Sequence, residues 1–220
     1  MCAFRCAHLR GRSSDEAIAA NKVDFLKAVD VIKMEDCVLG QFEGYLADET
    51  VPEGSKCPTY AAVSLAVNND RWKGVPMMIT AGKGLSERTC TVEATLKPGL
   101  GYKSLLFRIQ PDPGLWLIGP DGSTEVPFME ALGDSTGVFD YERILFDGAR
   151  GSKTLMIGAE ELREAWRIFT PLLDQIDTEQ PDPVLHEFQT VVPPGVTDLA
   201  KKLGMNFNAM ANAQVAGAKL

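Results

Sequence analysis

Two basic side chains, Lys83 and Arg88, stand five residues apart in a short glycine-bearing stretch, AGKGLSER at residues 81–88. They are concentrated here although the chain has a formal net charge of -8. The runs on either side read as strands, and a turn held by strands is a common place for a ligand contact. A cationic pair in such a turn is suited to an anion. The alternative interpretation is a solvated hairpin tip.

Other patterns that could carry chemistry are incomplete. Gly82 and Gly84 begin a motif resembling the dinucleotide fingerprint, but Glu87 stands where its third glycine belongs and a strand, not a helix, follows. A phosphate-binding P-loop and a G-x-S-x-G elbow are also missing from the sequence. His186 lies in a proline-rich connector with no serine or cysteine placed beside it by a recognised pattern. It is therefore expected to be a surface or packing residue.

The N-terminal segment, residues 1–13, is basic and has no periodic apolar pattern. Three alternatives stay open for it: a transit-like extension, a disordered leader or a mis-assigned start. Its Cys2, Cys6 and His8 lack a fourth ligand at useful spacing, so no metal site is predicted. The five cysteines of the chain are scattered and odd in number, which favours reduced thiols in a cytosol-like compartment.

The composition, 45% hydrophobic and 24% charged over 220 residues, is typical of a globular protein with a core of its own. The acidic balance, with a sequence pI near 4.9, argues against nonspecific binding to nucleic acid or to a membrane surface. No run of residues approaches the roughly 20 apolar positions that a spanning helix requires. Nucleic acid and membrane are therefore not expected among the partners.

Helical patterns flank a central region of strand patterns. Helices are predicted over 14–32, 158–176 and 196–205, with a kink at Pro171. Residues 38–58 read as a loop, and the strand-like runs between 60 and 119 follow one another at hairpin spacing. The predicted fold is therefore α+β, with helices on one face of a large, mainly antiparallel sheet. In the helix at 158–176, one apolar stripe is expected to face the core: Leu162, Trp166, Phe169, Leu173 and Ile176.

The amino-acid sequences of several segments resemble those of a known family. The run ELREAWRIFTPLLDQI resembles the C-terminal domain of glucose-6-phosphate dehydrogenase. The same family is echoed, in its own order, by VLGQFEGYLADETVPEGS, YAAVSLAVNNDRWKGVPMMI, GKGLSER, FRIQPDPG and DYERILFDGARGS. The resemblance covers residues 14–205, which are therefore expected to form this domain, with 206–220 as a loose tail.

The resemblance implies a reaction and a site. The reaction is oxidation of glucose 6-phosphate to the lactone with hydride transfer to NADP, at the entry to the pentose phosphate pathway. The family's C-terminal domain carries an antiparallel sheet that makes a dimer interface. By matching motifs, the lysine that contacts the sugar corresponds to Lys83, and the basic residue near the phosphate corresponds to Arg88. The glutamine after the R-I-Q strand corresponds to Gln110.

Two parts of the family's catalytic machinery do not occur in the sequence. Neither the R-I-D-H-Y-L-G-K motif with its proton-abstracting histidine nor the glycine-rich coenzyme loop is present. Because hydride transfer needs coenzyme, base and substrate held together, these 220 residues are not expected to turn over substrate alone.

A second, structural NADP site found in some members of the family is eroded here. Its weak remnant is Arg108, with Trp116 in place of a stacking tyrosine. Thr80, Thr89 and Glu93 stand where many members have cations, and Glu93 adds repulsion toward a polyphosphate. No structural NADP is therefore expected.

Three functions stay open from the sequence. The chain is part of a dehydrogenase whose partner supplies the coenzyme half, a noncatalytic module that pairs with full-length dehydrogenase, or a sugar-phosphate sensor. An apolar face left by a missing coenzyme domain favours a homo-oligomer or a partner-dependent protein. The expected location is the cytoplasm, with a plastid as the alternative.

Overall fold

The computed structural model describes residues 15–111, 113–127, 140–153 and 156–205. Residues 1–13 and 206–220, for which a leader and a loose tail are predicted, lie outside the described residues. The described helices are α1 (Asp15–Lys27), α2 (Asp140–Ala149), α3 (Ala159–Glu179) and α4 (Val196–Lys202). The described strands are β1 (Cys37–Phe42), β2 (Tyr60–Leu65), β3 (Met77–Gly82), β4 (Cys90–Thr95), β5 (Ser104–Gln110), β6 (Gly114–Ile118), β7 (Ser123–Val126) and β8 (Val184–His186).

The chain divides into two compact units. Unit 1 comprises residues 1–37, 63–79 and 137–181, and unit 2 comprises 38–62, 80–136 and 182–220. In unit 1, helices α1 and α3 pack against each other around a cluster of buried apolar side chains. These are Leu26, Val29, Ile32, Val63, Val67, Ile168 and Leu172.

Two polar contacts reinforce the packing of α1 on α3. The Lys22 ammonium lies 3.1 Å from a carboxylate oxygen of Glu161, and both side chains are largely removed from solvent. The Arg167 guanidinium donates hydrogen bonds of 2.9 Å to the carbonyl oxygens of Leu26 and Val29, which satisfies acceptors at and beyond the C-terminal end of α1. Helix α3 continues through Pro171, whose predicted kink stays a prediction.

In unit 2, strands β4 to β7 form an antiparallel sheet in the order β4–β5–β6–β7. Because side chains alternate between the faces of a strand, its two faces differ in character. One face carries the buried cluster Leu106, Trp116 and Ile118. The other face carries the buried Leu115 and half-buried apolar side chains, which include Leu105, Phe107, Ile109, Leu117 and Val126.

A second four-stranded sheet has the order β3–β2–β1–β8. Within it, β1 pairs in parallel with β8, and Phe42 is the register partner of His186. Gly40 of β1 lies against the rings of His186 and Tyr60, so a side chain there would need its neighbours to move. The Tyr60 and His186 rings meet edge to face, with centroids 6.3 Å apart.

The predicted α+β class is confirmed, and its strands are divided between two described sheets. The prediction of a loop over 38–58 is wrong at its start, because Cys37–Phe42 forms β1. The predicted core face of α3 is wrong in part. Phe169 and Ile176 pack against the core cluster as predicted, whereas Leu162, Trp166 and Leu173 are exposed. The buried residues of α3 are Glu161, Ile168 and Leu172.

Candidate anion-binding turn

Lys83 and Arg88 lie in the turn that leads from β3, which ends at Gly82, to β4, which begins at Cys90. Both side chains are exposed. The turn is attached to its own unit at its first residue, where the backbone amide of Lys83 donates a 2.8 Å hydrogen bond to the carbonyl oxygen of Thr59. The lysine backbone is therefore held while its side chain is free to reach outward.

The two glycines beside Lys83 are required by aromatic rings that lie against them. A Cβ atom on Gly82 would stand 2.5 Å from the Cδ2 atom of Tyr60. A Cβ atom on Gly84 would stand 2.6 Å from the Cδ1 atom of Phe42, and Gly84 has a φ angle of +68°, in the left-handed region. A larger residue is therefore excluded by space at both positions and also by backbone conformation at Gly84.

The second half of the turn is bound to the segment 187–190. The amide of Ser86 donates a 3.0 Å hydrogen bond to the carbonyl oxygen of Thr190, and the amide of Gln189 donates a 2.8 Å bond to that of Gly84. Leu85 forms an isolated parallel bridge with Thr190. The stretch between Lys83 and Ser86 is thus hydrogen-bonded on both sides, which limits the positions that its side chains can adopt.

The turn carries two cations, Lys83 and Arg88, and one carboxylate, Glu87. Within the ranges that the structure describes, neither Lys83 nor Arg88 forms an ion pair with a carboxylate. By contrast, the exposed Lys201 is paired with Asp198 at 3.2 Å. Two exposed and unpaired cations on a hydrogen-bonded turn are able to bind an anion without first breaking an internal salt bridge.

Gln110 is the last residue of β5. It lies at the end of the sheet where β4 begins. Its register partner is Cys90, two residues after Arg88. The register shifts between Cys90 and Thr91, so the pairing of β4 with β5 is irregular at this end. The side chain of Gln110 is exposed. The pairing therefore brings Gln110 and the Arg88 end of the turn to one edge of unit 2.

The predicted remnant of a structural NADP site consists of Arg108 and Trp116. The structure places these two side chains in contact with each other. The guanidinium carbon of Arg108 lies 4.4 Å from the centroid of the Trp116 ring, and that ring is 2% exposed. A buried indole has no free face for a nucleotide base, and the cation above it is already in use. These two residues do not fit a stacking site for a dinucleotide.

Glu93 makes the same region less suited to a polyphosphate. Its carboxylate accepts a hydrogen bond from the hydroxyl of Ser104, which is buried. Burial raises the pKa of Glu93, and the bond from Ser104 acts in the opposite direction. An acidic side chain fixed on the strand next to Arg108 contributes repulsion, or at best no attraction, toward a phosphate.

Sequence reasoning missed the aromatic residues that support the turn. They come from three separate segments, at Tyr60, Phe42 and Phe188. The only sequence signal for them is the pair of glycines on either side of Lys83, which indicates that other groups lie close to the backbone there. His186 is 3% exposed and forms part of β8, so it is a packing residue and not a surface one. Its Nδ1 atom lies 3.0 Å from the carbonyl oxygen of Glu187.

Two further properties concern the described part of the chain. Its histidine, cysteine and carboxylate side chains include no group of three or more that could hold a metal ion. None of its helices combines the length and apolar character needed to cross a bilayer. Cys2, Cys6 and His8 lie outside the described residues.

Comparison with known families decides the relationship. The family model described as "Glucose-6-phosphate dehydrogenase, C-terminal domain" matches residues 10–208. The chain belongs to the family of glucose-6-phosphate dehydrogenase C-terminal domains. Its relatives include glucose-6-phosphate 1-dehydrogenase from Takifugu rubripes, 33% identical in an alignment 225 residues long that covers 89% of this chain. They also include the cytoplasmic glucose-6-phosphate 1-dehydrogenase 5 from Arabidopsis thaliana, 34% identical over 86% of this chain.

A solved structure supports the same family. It is described as glucose-6-phosphate dehydrogenase in complex with its substrate glucose-6-phosphate, and it is similar to this chain with a TM-score of 0.78 and 27% identity. The similarity covers 92% of this chain and 48% of that one. The two curated relatives are covered over 42% and 40% of their own lengths. The chain therefore spans less than half the length of the glucose-6-phosphate dehydrogenases that it resembles.

Proposed function

We propose that this chain is the substrate-binding and oligomerisation part of a glucose-6-phosphate dehydrogenase, in which Lys83, Arg88 and Gln110 contact glucose 6-phosphate. The observation that supports this most directly is the exposed pair of cations on a turn held by hydrogen bonds at Lys83 and Ser86. A phosphate accepts charge-assisted hydrogen bonds from a lysine and an arginine. Gln110, at the same edge, has both a donor and an acceptor for sugar hydroxyls.

A binding measurement tests the three residues. Glucose 6-phosphate is titrated into the chain by calorimetry, and Lys83→Ala and Arg88→Ala are each expected to weaken binding about 10- to 100-fold, the value of one charged hydrogen bond. Gln110→Ala is expected to cost less, about 3- to 10-fold. Lys97→Ala is the matched control, because Lys97 is an exposed lysine just beyond the opposite end of β4. Equal binding by all four variants and the unchanged chain would overturn the assignment.

We propose further that the 220-residue chain does not catalyse the reaction by itself. The sequence has no glycine-rich coenzyme loop and no histidine in the family's catalytic motif. Its two histidines are His8, which lies outside the described residues, and His186, which is buried in β8. A base must reach the proton that it abstracts, and a buried packing residue offers no such access.

Activity tests this second claim. Reduction of NADP in the presence of glucose 6-phosphate is followed with the chain alone and with a separately expressed coenzyme domain from a relative. No turnover alone and turnover on mixing is the expected result. Turnover by the chain alone would disprove the claim that the coenzyme part is needed. NADP is thus proposed as the coenzyme of the assembled enzyme and not as a ligand of Arg108 and Trp116.

The alternative function is a noncatalytic partner that pairs with a full-length dehydrogenase. The half-buried apolar face of the β4–β7 sheet, which includes Leu105, Phe107 and Ile109, favours association through this sheet. Sedimentation of the chain alone is expected to give a dimer or larger species, and Phe107→Glu is expected to reduce it. No turnover on mixing, together with binding to an intact dehydrogenase, would favour this alternative.

A free-standing sugar-phosphate sensor is the third interpretation. It predicts tight binding of glucose 6-phosphate by the chain alone and no association with a coenzyme domain.

Curated relatives include cytoplasmic and chloroplastic forms. The cytoplasm is the proposed location, with a plastid as the alternative, and fluorescence imaging of a tagged full-length chain distinguishes the two.

A further inference from the structure

The turn that carries Lys83 and Arg88 is supported by a segment more than 90 residues later in the chain, at residues 187–190. This segment follows β8 and contains Phe188, whose side chain is 58% exposed. Because more than half of this side chain is exposed, Phe188 is not a core residue. Its buried part meets the ring of Phe42 edge to face, with centroids 5.4 Å apart.

The contacts of Phe42 and Phe188 meet at Gly84. A Cβ atom on Gly84 would stand 2.6 Å from Phe42 and 3.2 Å from the Cδ2 atom of Phe188. The two rings therefore lie directly against the backbone between Lys83 and Leu85. On the same segment, Gln189 has a φ angle of 65°, which is uncommon for a residue other than glycine, and its amide donates to the carbonyl oxygen of Gly84.

We propose that residues 187–190 are a positioning element for the cationic turn, and that the ring of Phe188 is the side chain through which they act. The ring fixes Phe42 over Gly84, and the backbone of Gln189 and Thr190 then fixes Gly84 and Ser86. Lys83 and Arg88 lie immediately outside this fixed stretch, so their side chains start from defined points. The element contributes geometry and makes no contact with ligand itself. Its importance for glucose 6-phosphate rests on the function proposed above.

The first test measures the turn without any ligand. Amide hydrogen exchange is recorded by NMR on the full chain, at Ser86 and Gln189, whose amides donate the two bonds. Phe188→Ala is expected to accelerate exchange at both amides by roughly tenfold, as local opening becomes easier. Phe188→Tyr retains the ring and is expected to restore protection. Leu185→Ala is the matched control, because Leu185 is 59% exposed and lies three residues earlier.

A second pair of variants tests the same contact by a substitution in the turn itself. Gly84→Ala introduces a Cβ where Phe42 and Phe188 leave no room, and it is expected to accelerate the same two amides. Gly54→Ala measures the cost of alanine at a positive φ angle without crowding, read as the loss of unfolding free energy. Gly54 has a φ angle of +70°, close to the +68° of Gly84, but a Cβ there would meet nothing within 4 Å. A larger loss in Gly84→Ala than in Gly54→Ala supports the crowding by the two rings, whereas equal losses oppose it.

Ligand binding completes the test and distinguishes the two proposals. If the unchanged chain binds glucose 6-phosphate, Phe188→Ala is expected to weaken binding about tenfold, and Phe188→Tyr to restore it. If the unchanged chain does not bind, the proposed function fails, but amide exchange still decides whether residues 187–190 position the turn. Unchanged exchange in Phe188→Ala, or loss of the whole fold in Phe188→Ala but not in Leu185→Ala, would overturn the positioning role.

Discussion

The guanidinium of Arg108 stacks on the indole of Trp116 across two neighbouring strands, with 4.4 Å between the guanidinium carbon and the ring centroid. The stack is possible because Gly114, the register partner of Arg108, has no side chain. A Cβ atom there would stand 2.2 Å from the Cη2 atom of Trp116. The ring thus lies over the backbone of β6 and takes the space that a side chain would occupy.

Gly114→Ala is expected to lower the free energy of unfolding by about 1 to 3 kcal/mol, because an added methyl group overpacks the site of the Trp116 ring. Chemical denaturation followed by tryptophan fluorescence measures the change. Gly119→Ala is the matched control at the other end of β6, since a Cβ there would meet only ordinary contacts, the nearest at 3.4 Å. Equal stability of the two variants would contradict the packing described.

NADP is expected to leave the melting temperature of the isolated chain unchanged, because the Trp116 ring is buried and Arg108 already stacks on it. A ligand that binds the folded state alone raises the melting temperature with its concentration. Thermal melts over a series of NADP concentrations measure this, with glucose 6-phosphate as the comparison ligand. A saturating rise with NADP would show that a dinucleotide site exists in this chain.

Glu93→Gln is expected to change how stability depends on pH. Burial raises the pKa of Glu93 above its ordinary value of 4.5, partly offset by the hydrogen bond from Ser104. The folded state therefore holds the proton more tightly, so stability falls as the pH rises from 4.5 through the folded pKa. The variant is expected to be more stable than wild type at neutral pH, and the difference is expected to vanish below pH 4.5.

Urea denaturation at both pH values measures this difference. The gain is expected to be small, because the Glu93 side chain is itself exposed and solvent screens its charge. Glu125→Gln, on the opposite edge strand of the same sheet, is the control. A gain for Glu93→Gln that persists unchanged below pH 4.5 would assign the effect to packing and not to ionisation.

Lys22→Met is expected to destabilise unit 1 by about 2 to 3 kcal/mol, because it leaves the Glu161 carboxylate buried without its partner. The side chains of this pair are 19% and 9% exposed, respectively. The double variant Lys22→Met with Glu161→Leu is expected to recover much of the loss, since no charge then stays buried. Lys201→Met, which breaks an exposed pair, is expected to cost about 1 kcal/mol or less.

The sequence could predict the fold class, α1, α3, α4 and strands β2 to β6, because long periodic runs are strong signals, but it missed α2, β1, β7 and β8. It could not orient α3, because this helix carries two apolar stripes. Leu162, Trp166 and Leu173 satisfy helical spacing as well as Ile168 and Leu172 do, and only packing against α1 decides between them. A buried, salt-bridged Glu161 also reverses the usual rule that an acidic residue marks the solvent side.

The candidate site was predictable only in part, for a related reason. Lys83 and Arg88 could be singled out because they lie close together in sequence and match a family motif. Their supports could not, because Phe42 and Phe188 are separated from the turn by long stretches of chain. Strand β1 escaped detection since Gly40 interrupts its apolar run, and Gly40 is needed for the close approach of Tyr60 and His186.

The hydrogen bonds from Arg167 to the end of α1 have a consequence for synthesis on the ribosome. The acceptor at Val29 and the donor at Arg167 are 138 residues apart in sequence. At about 5 to 20 residues per second, translation takes roughly 7 to 28 s to cover that distance. During this interval the nascent α1 has neither its partner helix nor its terminal cap, and short helices are marginal alone in water. Residues 15–32 are therefore expected to gain stable structure only after α3 has emerged.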